Sequence, residues 1–164
     1  MAGIIIEGVH YMPPLKPGDH VVFVCVGNHT RSPLAAAMFA RIMKAHGIDC
    51  KVESAGTMRW MHDLGAASEW ARLRYTRDYD LSAHRNRHYS ELELTPETFV
   101  ICLDDRAHEE MENVSDIGKD RLHLLLAPRG VFDPSASFSM EAYEMCFWQL
   151  KRGIEQLIRQ LLDE

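Results

Sequence analysis

The stretch Val21-Val22-Phe23-Val24-Cys25-Val26-Gly27-Asn28-His29-Thr30-Arg31-Ser32-Pro33 constrains this chain more than any other. Four consecutive β-formers run into a cysteine, a glycine-containing run of five residues follows, and Arg-Ser-Pro opens a series of helix formers. The pattern reads strand, loop, helix. Such a loop suits an oxyanion, because successive backbone N–H groups in a tight turn form a concave donor array and the helix N-terminus adds partial positive charge. Val26, Gly27, Asn28, His29, Thr30, Arg31 and Ser32 therefore form a candidate phosphate cradle. Arg31 adds a planar fork that matches two phosphate oxygens. In that field the thiolate of Cys25 is favoured, so the stretch both binds an anion and activates a nucleophile. Pro33, in the first helical turn, gives up an N–H that would have no partner in any case.

The 164 residues, 46% apolar and 26% charged, are enough for one domain with one sizeable core. A net charge of −6 argues against a nucleic-acid surface and makes the positive feature at residues 25–33 a local one. Cys25, Cys50, Cys102 and Cys146 are widely spaced, with neither a CxxC nor a Cys/His ligand pattern, which argues against zinc and against a disulfide framework. The Ile4-Ile5-Ile6 run stops at Glu7, too short for the core of a signal peptide, and no apolar segment is long enough to cross a bilayer. A reducing, cytoplasmic setting is expected.

In chain order, residues 1–19 form an extension with one short strand at 4–6 and a turn-rich linker marked by Pro13, Pro14, Pro17 and Gly18. An added edge strand, a cover over the site, a dimer contact and a passive tail all fit it. Residues 34–43 read as a helix with Leu34, Met38 and Ile42 on one face, ended by Gly47. A strand follows at 50–53, and this strand-helix-strand spacing implies a right-handed parallel crossover. Further helix is read at 66–75 around Trp70 and Leu73, strand at 98–103, helix from Asp104 to Met111, and strand at 122–126. A long amphipathic helix fills 140–162. The fold class expected is α/β: a single doubly wound domain over 20–164, with a short central parallel sheet flanked by helices.

The run Cys-x-Gly-Asn-x-x-Arg-Ser-Pro at 25–33 resembles the signature loop of the low-molecular-weight protein tyrosine phosphatases, and Ser54-Ala55-Gly56-Thr57 resembles a second motif of that family. Leu-Ser-Ala-His-Arg-Asn-Arg at 81–87 is similar to a third segment, although Arg77-Asp78-Tyr79 stand where the family usually has a glycine. The resemblance implies hydrolysis through a phosphocysteine on Cys25, with Arg31 gripping the phosphoryl oxygens and no metal or organic cofactor. It casts Asp133, in an Asp-Pro pair ahead of the last helix, as the carboxyl that protonates the leaving oxygen and later deprotonates water. Taken alone, that pair reads first as a turn; taken with the loop at 25–33, it reads first as the acid. Asn28, Ser32, Ser54 and His84 fall at positions that support the loop.

Substrate choice is ambiguous in the sequence. Tyrosine-specific relatives often follow the Asp-Pro pair with aromatics, whereas this chain has Ser135-Ala136. Trp60 falls near an aromatic cleft position and can stack on a phenyl ring, or can equally serve as a surface or core residue. At His29 the tyrosine-specific branch usually has an aliphatic residue and the arginine-phosphatase branch a threonine. Histidine matches neither, and it either selects a different substrate or points away. Thr30 replaces a cysteine that in many relatives traps the oxidised nucleophile as a disulfide. The reading expected is a phosphotyrosine protein phosphatase acting on phosphoproteins. The alternatives are a protein arginine phosphatase, a thiol-coupled arsenate reductase and a non-catalytic phosphate-binding regulator. Oligomeric state is left open.

Overall fold

Alternation of buried side chains along one strand organises the two layers of the core. In the computed structural model, which describes residues 4–6, 9–60, 64–137 and 139–162, β3 (His20–Cys25) is central and pairs in parallel with β4 (Lys51–Gly56) and with β5 (Phe99–Cys102), while β6 (Leu122–Leu124) pairs in parallel with β5. The sheet order is β4-β3-β5-β6. Val21, Phe23 and Cys25 face α1 (Arg31–Ala45) and α3 (Met140–Leu161) in one cluster. Val22 and Val24 join Ala107 and Met111 of α2 (Asp105–Glu112) in the other. A period of two thus buries both faces of β3, as a central parallel strand requires. This is the doubly wound α/β sheet expected from the sequence.

From β3 the chain passes through α1 to β4 on one side, then crosses to β5 on the other. The reversal falls at the carboxyl end of β3, where open α/β sheets form their ligand crevices. Cys25 is the last residue of that strand, level with Gly56 of β4. No helix among the described residues is long and apolar enough to cross a membrane.

Two segments differ from the sequence reading. The extension carries a second strand: β1 (Ile4–Ile6) and β2 (Val9–Tyr11) pair antiparallel in a sheet of their own. A three-residue strand needs a partner for its backbone groups, and the chain supplies one locally. Beyond it, Met12 and Leu15 are buried in the main core and the Leu15 N–H donates to the Leu161 carbonyl at 2.8 Å. The helix expected over 66–75 is instead two short 3-10 turns, Ser68–Arg72 and Arg74–Asp78, joined by an extended Leu73. The reason is competition for carbonyls. The Thr76 hydroxyl bonds to the carbonyls of Trp70 and Leu73, which a continuous α-helix would use internally. Trp70 is drawn inward to donate its indole N–H to the Thr30 carbonyl at 2.8 Å.

Candidate active site

The loop after β3 is shaped by Asn28. Its φ of 53° lies in the left-handed region, which asparagine tolerates better than most residues. That turn aims the Asn28 N–H back at Cys25 Sγ, 3.2 Å away. The side chain is fully buried and saturated: Nδ2 donates to Ser32 Oγ (2.8 Å) and Ser54 Oγ (3.0 Å), and Oδ1 accepts from the Arg87 N–H (2.9 Å). The Asn28 carbonyl accepts from His84 Nε2 at 2.7 Å, which fixes the neutral tautomer of that ring. Burial, outweighing the bond to Asn28, lowers the pKa of His84.

Ser32 completes the setting of the sulfur. Its Oγ accepts from Asn28 and lies 3.0 Å from Cys25 Sγ, so its own proton is free to point at a thiolate. Cys25 is 2% exposed. At the head of α1 the Thr30 side chain makes no capping bond, and among the described residues none accepts from the main-chain N–H groups of Gly27, His29, Thr30 or Arg31. Those donors, with the helix N-terminus behind them, are what an oxyanion needs. Gly56 lets the loop pack this closely, since a Cβ there would lie 2.6 Å from the Val26 carbonyl oxygen and 3.1 Å from Asn28 Cβ. The Ser-Ala-Gly motif of β4 is therefore the bed on which the loop rests.

Arg31 is buried and held between two carboxylates. One terminal nitrogen lies 2.8 Å from Asp104 Oδ2 and 3.6 Å from Asp133 Oδ2, while the other donates to the Val131 carbonyl at 3.1 Å. Burial opposes the guanidinium charge, but Cys25, Asp104, Asp133 and Cys146 around it raise its pKa above the ordinary value. Asp104 divides its oxygens: Oδ1 caps α2 by accepting from the Ala107 N–H at 2.7 Å, and Oδ2 orients Arg31. Asp133 is 48% exposed and accepts at Oδ1 from the Ser135 N–H (3.1 Å) and hydroxyl (2.8 Å). The structure thus brings Cys25, Arg31, Asp133, Asn28, Ser32, Ser54, His84 and Ser135 into one constellation.

Two aromatic or imidazole side chains bracket the loop. Trp60, 44% exposed, donates its indole N–H to the Gly27 carbonyl at 2.7 Å, so its ring stands fixed beside the cradle. His29 donates from Nδ1 to the Gly65 carbonyl at 2.6 Å, and its own carbonyl accepts from the Ala67 N–H at 2.8 Å. His29 is a tie between the loop and residues 65–67. Sequence reasoning missed the Arg31 contacts with Asp104 and Val131 and the Trp70 bond to Thr30. The acidic residue that follows the strand read at 98–103 was the available signal for Asp104.

The other cysteines stand apart in character. All four are free, and burial pushes the thiols of Cys102 and Cys146 up from their ordinary range. Among the described residues no group of three or more His, Cys, Asp or Glu side chains gathers as a metal site.

An open parallel sheet ends its central strand on a hydrogen-bonded cysteine, wraps it in a loop of N–H donors and sets a buried arginine in the next helical turn, which defines an α/β protein with its candidate site at the carboxyl end of the sheet. The chain belongs to the low molecular weight phosphotyrosine protein phosphatase family, whose model matches residues 20–164. It is 52% identical over 42 residues to a low molecular weight protein-tyrosine-phosphatase of Staphylococcus epidermidis, a match spanning 25% of this chain and 27% of that protein. It is 24% identical over 127 residues to the low molecular weight phosphotyrosine protein phosphatase of Gallus gallus, covering 74% of this chain and 77% of that one. Among solved structures, the fold is similar to a low molecular weight protein tyrosine phosphatase from T. tengcongensis, with a TM-score of 0.69, 24% identity, and coverage of 88% of this chain and 100% of that chain. It is also similar to the drosophila arginine phosphatase, with a TM-score of 0.74, 20% identity, and coverage of 85% and 96%.

Proposed function

We propose that this chain is a cysteine-dependent protein phosphatase that hydrolyses phosphotyrosine in phosphoproteins. The observation that carries the reading is the Cys25 sulfur receiving the Asn28 N–H and facing the Ser32 hydroxyl while Arg31 lies beside it, braced by Asp104. Both contacts hold the sulfur in place at the mouth of the donor loop. Cys25 attacks phosphorus, the P–O bond to tyrosine breaks, and the departing oxygen takes the proton of Asp133. The loop N–H groups and Arg31 carry the charge on the three equatorial oxygens. Water then attacks the phosphocysteine, Asp133 accepts its proton, and the S–P bond breaks to release phosphate and the Cys25 thiolate. No step calls on a metal or an organic cofactor. A thiolate nucleophile works in a reducing compartment, so the reading places the protein in the cytoplasm.

Phosphotyrosine is favoured over phosphoarginine by Trp60, a fixed flat wall beside the cradle on which a phenyl ring can stack. Ser135, in place of a second aromatic wall, turns back onto Asp133 and steadies the carboxyl instead. An arsenate reductase needs a reactive resolving thiol at the nucleophile, whereas Cys146, which shares the surroundings of Arg31 and Cys25, is buried in the core with its thiol pushed up by burial. Phosphate release from phosphotyrosine and phosphoarginine peptides, compared for wild type, Cys25→Ser and Asp133→Asn, tests the reading. Preference for phosphotyrosine, abolished in Cys25→Ser, is expected. Equal or greater release from phosphoarginine overturns the substrate assignment, and binding without release by wild type overturns the enzyme.

A further inference from the structure

The loop that carries Asp133 is fastened from two sides. On the sheet side the Val131 N–H donates to the Leu103 carbonyl at 2.6 Å, and the Val131 carbonyl accepts from Arg31. Gly130, with φ of +87°, allows this approach, since a Cβ there would meet the Leu103 carbonyl and lie 2.7 Å from Asp104 Cα. On the other side stands α3. Its Gln149 Oε1 accepts the Phe132 N–H at 2.7 Å. One turn further, Gly153 leaves the helix bare where Leu125 packs: a Cβ would lie 2.7 Å from Leu125 Cγ and 2.8 Å from Cδ2. Residues four apart share a helix face, so Gln149 and Gly153 together make the surface on which the 125–132 segment lies.

We propose that Gln149 is a positioning residue for the proton transfer, holding the main chain at Phe132 so that the Asp133 carboxyl stays over the phosphoryl site. The inference rests on the reading of Asp133 as the acid. Among the described residues, the Phe132 N–H is the last main-chain tie before Asp133. Asp133 cannot fix itself. Its side chain is half exposed, its contact with Arg31 is 3.6 Å against 2.8 Å for Asp104, and its partner Ser135 belongs to the same loop. Ser135 orients the carboxyl within the loop, and Gln149 orients the loop within the molecule. Because Phe132 is exposed, removing its acceptor leaves no buried unsatisfied donor. The cost falls on geometry rather than on folding, and a small misplacement of a catalytic group is expensive in rate.

Gln149→Met keeps the side-chain length and removes the acceptor, while Gln149→Glu keeps an acceptor oxygen. The readout is kcat/KM on two small substrates: phenyl phosphate, whose phenolate leaves poorly without a proton, and 4-nitrophenyl phosphate, whose nitrophenolate leaves readily without one. Gln149→Met is expected to lose about fivefold more on phenyl phosphate than on the nitro compound, as the loss of one neutral hydrogen bond allows, and Gln149→Glu to restore most of it. Equal loss on both substrates, or no loss on either, overturns the inference if Asp133→Asn in the same assay is selectively impaired on phenyl phosphate. If Asp133→Asn shows no such selectivity, the acid assignment itself falls, and the role of Gln149 falls with it.

Discussion

Asn28→Ala tests how the loop is held. The substitution removes three side-chain hydrogen bonds, to Ser32, Ser54 and the Arg87 N–H, at a fully buried position. At about 1 kcal/mol each they account for about 3 kcal/mol. Alanine must also adopt φ near 53°, which adds about 1 kcal/mol. Asn28→Gly loses the same bonds without that strain, so the pair of variants separates the two contributions. With a urea slope of about 2 kcal/mol per molar for a domain of this size, the unfolding midpoint is expected to fall by about 2 M in Asn28→Ala and by about 0.5 M less in Asn28→Gly. Urea titrations followed by tryptophan fluorescence and by circular dichroism measure both. Midpoints within about 0.5 M of wild type would refute the account of Asn28 as the hub. Equal losses in the two variants would refute the strain alone.

Three further outcomes follow from the same geometry. Gly56→Ala drives a methyl group to 2.6 Å from the Val26 carbonyl, so it is expected to cost about 1–3 kcal/mol and to weaken competition by inorganic phosphate; unchanged inhibition by phosphate would show that the loop does not depend on that close approach. His84, whose pKa burial lowers from its ordinary 6.5, makes the fold less stable as pH drops from that value towards the lowered one, because the unfolded chain takes up the proton first. A pH series of urea midpoints should therefore show a steeper fall below that pH for wild type than for His84→Gln, and parallel profiles would contradict the assignment. Thr30 is buried at the nucleophile's loop and offers no sulfur, so after peroxide treatment a thiol reductant is expected to recover more activity in Thr30→Cys than in wild type; equal recovery would point to another cysteine reaching Cys25.

The parts of the site that were legible in the sequence are those whose causes are local. The β-run into Cys25, the glycine and asparagine of the loop and the proline in the first turn of α1 lie within thirteen consecutive residues, and their order alone dictates strand, donor loop and helix. A short continuous apolar run and a 3.6-residue period likewise exposed β5 and α3. What escaped notice has distant causes. The 66–75 segment has helix-forming composition, but Trp70 is committed to Thr30, and the carbonyls of Trp70 and Leu73 are shared between the Thr76 hydroxyl and N–H groups three residues on rather than four. Arg31 meets Val131 across one hundred residues and Asp104 across more than seventy, contacts that arise only once β5 is laid beside β3. Gln149 and Gly153 gave no signal at all, because a glutamine and a glycine on an amphipathic helix look like surface and tolerance until the 125–132 segment is packed against them.

The central claim, that Cys25 carries the phosphoryl group, is tested most directly by quenching wild type within milliseconds of mixing with a phosphotyrosine peptide and locating the adduct by mass spectrometry. The account predicts one phosphoryl group on the peptide containing Cys25, formed within the first turnover, and none in Cys25→Ser. Phosphate release with the adduct on another residue, or undiminished release by Cys25→Ser, would contradict it.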